Sequence, residues 1–178
     1  ANNNKFRKAK KEKINMKGMK GLILLDLIVV VAILVMIGIT ATLGIVVLND
    51  FEAGAADIPG FNNTHVENVK VAIITFNEGS VFIFIGLVAA AILSAYMLKE
   101  HPAFAFFSII VLYISAYIVA SFSNFYSDFT ADPATASAAS NFPLLQTLMD
   151  NIVPIVFIAG MLIIIAMFAK SGKGEQQI

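Results

Sequence analysis

Apolar residues gather in four long runs, roughly Leu22–Leu48, Val69–Leu98, Ala103–Phe122 and Leu144–Ala169, and polar residues concentrate between them. About 20 apolar residues carry an α-helix across a hydrocarbon core of about 30 Å, and each run reaches that length. The pattern predicts an all-α polytopic membrane protein, a bundle of four transmembrane helices with both termini on the same, inner side. Residues 1–20 read as a basic surface arm, 21–170 as the transmembrane domain and 171–178 as a short polar tail.

Within the runs, smaller signals refine the picture. A helix over the first run is about 40 Å long, so it must tilt or protrude. Gly38, Ala41 and Gly44 give it a patch that another helix can approach closely. The connector Asn49–Asn68 is rich in turn residues, with Gly54, Pro59 and Gly60, and contains the sequon Asn62-Asn63-Thr64. Thr64 followed by Glu67 predicts a capping box opening the second helix, whose first turns, with Lys70, Asn77 and Glu78, belong in the outer headgroup layer. Gly86, Ala90 and Ser94 recur every four residues, a small-residue stripe suited to helix packing.

His101-Pro102 marks a hairpin into the third span. Mid-span, Tyr113 and Tyr117 share one face and need hydroxyl partners, with Ser115, Ser121 or a neighbouring carbonyl at hand. Asp132–Ser140 reads as a flexible outer loop. The fourth helix should start near Asn141 with Pro143 in its first turn. Pro154 then falls inside the membrane, where a kink and a freed carbonyl are expected.

Charge sets the sidedness. Lys5, Arg7, Lys8, Lys10, Lys11, Lys13, Lys17 and Lys20 precede the first span against a single Glu12. The next connector carries Asp50, Glu52, Asp57 and Glu67, and the last one Asp128 and Asp132. Lys99 lies in the hairpin and Lys170 and Lys173 in the tail, so cations favour one side at every crossing except at Lys70. Cytoplasmic loops carry the lysine excess, which places both termini in the cytoplasm or in the interior of an enveloped particle. The basic arm is suited to a bilayer of anionic headgroups, each lysine contributing about 1 kcal/mol. Packaged nucleic acid is the other phosphate partner it could meet, although no aromatic interleaving or groove-reading motif accompanies the lysines.

Composition agrees with lipid as the main solvent. The chain has 178 residues, 58% hydrophobic and 13% charged, with a mean hydropathy of +0.83. Soluble domains are typically about 45–50% apolar and about 25% charged. Cysteine is absent, so disulfide, thiolate-metal and thiol redox chemistry have no residue to work with. The two histidines, His65 and His101, belong to loops on opposite faces, and phosphate-binding, nucleophile-elbow and paired-histidine zinc motifs are missing. The expectation is a non-enzyme without cofactor or metal.

Ionisable residues inside spans are functional candidates by default. Asp26 lies little more than a turn inside the first span, near the cationic side, within reach of Lys17 or Lys20. Asp150 lies in the fourth span near the opposite side, so the two cannot form a carboxylate pair. Asp26, Asp150, Asn151 and Pro154 are the candidate intramembrane polar residues. Each acid is either a carboxylate satisfied at an interface or part of an ion or proton site, for which Asp150 with Asn151, Gln146 and the carbonyl freed by Pro154 is the best placed.

Lys20-Gly21-Leu22-Ile23-Leu24-Leu25-Asp26 and the apolar run after it resemble the processing site and helix start of type IV pilins. That family has a basic leader ending in Gly and an apolar helix with an acidic fifth residue, usually Glu where this chain has Asp. The resemblance implies cleavage after Gly21 and a role for Asp26 opposite a neighbour's new amino terminus. It covers about eleven residues, and three further spans replace the family's soluble head.

Three functional classes follow. The leading one is a structural or accessory subunit of a larger membrane assembly, with a virion membrane as one setting, its partners being other membrane subunits or further copies of itself. The second is a small channel, transporter subunit or holin-like pore. It would use Asp150 and the Pro154 kink, or a polar face of Thr40, Thr42, Tyr113, Tyr117, Ser115 and Asn151. The third is a pilus-like subunit processed after Gly21.

Overall fold

The computed structural model describes residues 22–97 and 103–169. The basic arm with its eight cations, Gly21, the Lys99–Pro102 turn and the tail from Lys170 lie outside the described residues. Those described are 88% helical and contain no strand. In chain order the helices are α1 (Leu22–Ala55), α2 (Thr64–Met97), α3 (Ala103–Ala131), α4 (Ala136–Ala139), α5 (Pro143–Asp150) and α6 (Ile152–Phe168). Three of them, α1, α2 and α3, are long and apolar enough to cross a membrane, and the bent pair α5–α6 makes a fourth span if counted as one.

α1 has 34 residues and α2 has 34, about 51 Å each at 1.5 Å per residue. α1 does not stop at Leu48 but continues through Asn49, Asp50 and Glu52 to Ala55, shortening the expected Asn49–Asn68 connector to residues 56–63. Contacts across the connector sustain the extension. Glu52 accepts from Asn63 Nδ2 at 2.7 Å and from Lys70 Nζ, and Lys70 also reaches Glu67 Oε1 at 3.1 Å. Gly60, at φ +85, turns the chain back. The capping box does not form. Asn62 Oδ1 accepts the Thr64 N–H at 2.9 Å, and the Glu67 carboxylate faces Lys70 instead.

α1 and α6 each pack against both α2 and α3. One core cluster joins α1, α2, α3 and α5 through residues such as Val31, Leu34, Ile45, Phe84, Val119, Tyr126 and Leu145. A second, of Ala95, Leu112, Ile163, Ile164 and Met167, joins α2, α3 and α6. Close approach depends on Gly38 and Gly160. A Cβ at Gly38 would sit 2.5 Å from Leu145 Cδ2 and 2.8 Å from Tyr126 Cε2, and one at Gly160 only 2.2 Å from Leu112 Cδ1. The Gly86 stripe is not used this way: Gly86, Ala90 and Ser94 are exposed, and nothing lies within 4 Å of a Cβ at Gly86.

The chain is apolar outside as well as inside. Val29, Met36, Phe82, Ile83, Leu93, Phe107, Ile114 and Ile165 are all more than half exposed. A helix that is hydrophobic all round belongs in a core or a bilayer, and the three or four long helices are compatible with an integral membrane location.

The expected outer loop Asp132–Ser140 is structured. Thr135, Ala138 and Ala139 are buried, α4 packs on α1, and Thr135 Oγ1 donates to Phe129 O. Alanines and a bonded threonine make that segment apolar enough to enter the core, which its small-residue composition conceals.

Candidate functional site

The break between α5 and α6 gathers most of the candidate polar residues. α5 and α6 meet at 64°, and the corner is Asn151, at φ −114 and ψ 9. The bend therefore lies three residues before Pro154 rather than at it. Proline has no N–H and its ring collides with the carbonyl four residues back, here that of Asp150. It also disfavours helical backbone at the preceding residue. The helix accordingly yields upstream, and Pro154 settles into the first turn of α6, where no donor is required.

The freed carbonyls find partners. Ser123 Oγ on α3 donates to Met149 O at 2.8 Å, and the Asn151 N–H reaches Leu148 O at 3.2 Å. Asn151 Nδ2 donates to Thr147 O at 2.8 Å. Replacing Ser123 by Ala should cost about 1 kcal/mol of stability through the unpaired carbonyl, read as a lower midpoint in detergent unfolding with secondary structure unchanged.

α5 is amphipathic: Leu145, Leu148 and Met149 are buried, while Gln146, Thr147 and Asp150 are exposed. Asp150 thus stands on an open face beside Asn151 and Gln146, within electrostatic reach of the buried Tyr126 hydroxyl. Asp26 is far from it along the bundle. It is exposed and lines a cleft of about 260 Å³ with Leu27, Val30, Leu87, Ala90 and Ser94. The structure brings Asp150, Asn151 and Pro154 together and leaves Asp26 apart.

The expected tyrosine partners are otherwise engaged. Ser115 Oγ donates to Val111 O at 2.7 Å and Ser121 Oγ to Tyr117 O at 3.2 Å, each within α3. Tyr113 packs edge-on against Phe157, their ring centres 5.8 Å apart. The tyrosine that matters to the core is Tyr126, 1% exposed.

Thr42, expected on a polar face, and Asn77, expected in the headgroup layer, are instead buried at the height of the break, together with Tyr126. Thr42 is wholly buried and donates to Gly38 O at 2.9 Å. Asn77 is wholly buried, and neither its Nδ2 nor its Oδ1 has a hydrogen-bond partner among the described residues; nor does Tyr126 Oη. Only the helical register, which sets Asn77 opposite Thr40, could have grouped them in advance.

That register makes a belt. Gly44 faces Ile73, and Asp26 and Val30 share a cleft with Leu87 to Ser94, so α1 and α2 run antiparallel. Thr40 and Thr42 of α1 therefore stand level with Asn77 and Glu78 of α2. Tyr126 joins Gly38 at this height, and Ser123 joins the α5–α6 corner. From the belt outward, between residues 41 and 79 and between 123 and 151, come eight carboxylates, Glu78 and Asp150 among them in the belt itself, and one lysine, Lys70.

Among the described residues no three His, Asp or Glu side chains gather as a metal site. Comparison of the chain with protein families, with curated proteins and with solved structures finds no match. The class rests on the fold: an all-helical protein with three or four helices fit to span a membrane.

Proposed function

We propose that this protein is a non-catalytic structural or accessory subunit of a larger membrane assembly, its termini and basic arm inside and its acidic end outside. The outer membrane surface lies at the belt. From Leu22, Met97, Ala103 and Phe168 to that belt each helix offers 17–20 residues, about 26–30 Å, close to the thickness of a hydrocarbon core. The outer parts of α1 and α2 then stand in water as a carboxylate-rich head. The arm meets anionic headgroups, or nucleic acid where the membrane belongs to a virion.

The observation that carries this reading is the core of the inner half. Ala95, Leu112, Ile163, Ile164 and Met167 are packed there with Ala91, Ile92 and Phe157. The buried polar side chain of that region, Ser115, spends its hydroxyl on its own helix. Conduction needs a polar lining through the membrane, whereas the polar residues of the inner half, such as Asp26 and Ser94, stand exposed on its surface and not within that core. Asp150 and Asn151 belong to the belt, where a carboxylate meets water and headgroups.

Reconstitution tests the reading. The purified chain in liposomes should pass no more ion or dye than protein-free vesicles. Flux that Asp150→Asn abolishes would replace the structural subunit by a pore.

A further inference from the structure

We propose that the outer halves of α1 and α2 form a homodimer interface, in which each copy's Phe76 fills the other copy's hollow between Ala41, Gly44 and Ala72. This names a first contact of the assembly proposed above and rests on that reading.

Between α1 and α2 runs an open groove of about 870 Å³, with Met36, Ala41 and Gly44 on one wall and Val69, Ala72 and Phe76 on the other. It starts below the belt and continues past it toward the head. With the outer membrane surface at the belt, as proposed above, lipid covers the lower part but not the upper, where Leu43, Val47 and Phe51 of α1 are also exposed, at 45%, 65% and 55%. Exposed apolar surface that leaves the bilayer marks a protein contact.

The surface complements itself. Its floor is small at Ala41, Gly44 and Ala72, whereas Phe76 and Met36 project from it, 65% and 68% exposed. A two-fold axis along the membrane normal keeps every residue at its own height, so a projection fills its partner's hollow only if both share a level. Here they do, since the antiparallel register sets Phe76 beside Ala41.

Charge and size point the same way. No charged side chain lines the groove, so pairing here buries none. Contact through other outer surfaces would bring like charges together, because the belt and head together hold eight carboxylates against Lys70, itself engaged by Glu52 and Glu67. Two helices side by side are about 20 Å wide, and Ile33 to Phe51 spans about 27 Å. Two such faces cover on the order of 1,000 Å², the size at which specific interfaces begin.

The natural absence of cysteine makes the test direct. The full-length chain in lipid nanodiscs should have the mass of a dimer. Ala72→Cys should cross-link with a short bis-maleimide, and Ile165→Cys, on the exposed face of α6, should not. Gly44→Leu fills the hollow at little cost within the chain, since a Cβ there meets only Ile73 Cδ1 at 3.5 Å. It and Phe76→Ser should each weaken dimerisation about tenfold or more.

Monomers at every protein-to-lipid ratio would overturn the proposal. So would dimers indifferent to Gly44→Leu, or monomers whose Gly44→Leu form merely loses a co-purifying lipid. Fixed-stoichiometry complexes that survive Gly44→Leu would reject this face while sparing the assembly reading. Liposome flux rejects that reading whatever the dimer does.

Discussion

Gly38→Val should lower stability by about 2 kcal/mol and the unfolding midpoint in detergent by about 4–8 °C. The first added carbon would already lie 2.5 Å from Leu145 and 2.8 Å from the Tyr126 ring. Neither neighbour can retreat easily, since both are about 1% exposed in the core that joins α1, α3 and α5. The β-branched side chain adds two methyls to a region that already lacks room for one. Overfilling a packed core costs about 1–3 kcal/mol. The gain from removing a helical glycine, at most about 1 kcal/mol, offsets only part of it. Gly86→Ala supplies the contrast. Nothing lies within 4 Å of the added methyl, so that variant should gain about 0.5–1 kcal/mol. Thermal unfolding of Gly38→Ala and Gly86→Ala side by side separates packing from propensity, and equal midpoints would refute the close approach at Gly38.

The same two glycines show what was legible in the chain. Both sit in apolar helices, and spacing rules favoured Gly86, Ala90 and Ser94 because they repeat every four residues. Periodicity reports which residues share a face; whether a neighbour occupies that face depends on bundle geometry. Gly38 was visible as part of a small patch, but its partners, Tyr126 and Leu145, come from elements that no local pattern ties to it. Gly160 gave no signal at all, being one small residue in a uniformly apolar helix.

The spans themselves were legible, because some 20 apolar residues in a row have few other uses. Their ends were less so. α1 runs through Asn49 to Glu52 because Glu52 meets Asn63 and Lys70 across the turn, eleven and eighteen residues away in sequence. Pro154 announced a break, yet the corner fell at Asn151, where steric strain on the preceding turn could be released and Ser123 could take up a carbonyl. The candidate site was thus named in composition, and its shape came from the tertiary fold. The sequence places Asp150 inside the fourth span, before a kink at Pro154; on the amphipathic α5, bent away by 64°, it becomes part of a belt shared by every long helix.

Asn77→Leu should stabilise the protein by about 2 kcal/mol. The side chain is wholly buried, and neither amide atom has a hydrogen-bond partner among the described residues. A buried polar group left unpaired costs about 1–3 kcal/mol, and leucine of similar size removes that cost while adding apolar contact beside Val81 and Phe84, both in the core. Tyr126→Phe should act in the same direction and by less, as it deletes one unpaired hydroxyl and keeps the ring against Gly38. A midpoint that rises for Asn77→Leu confirms that the amide is a net burden on the monomer fold. A midpoint that falls would mean that the amide is satisfied in the folded protein and that the buried polar layer at the belt contributes to stability. Natural sequences keep such burdens where function requires them. The informative companion measurement is therefore oligomeric mass: if Asn77→Leu raises the midpoint yet loses the native assembly, Asn77 trades stability for assembly.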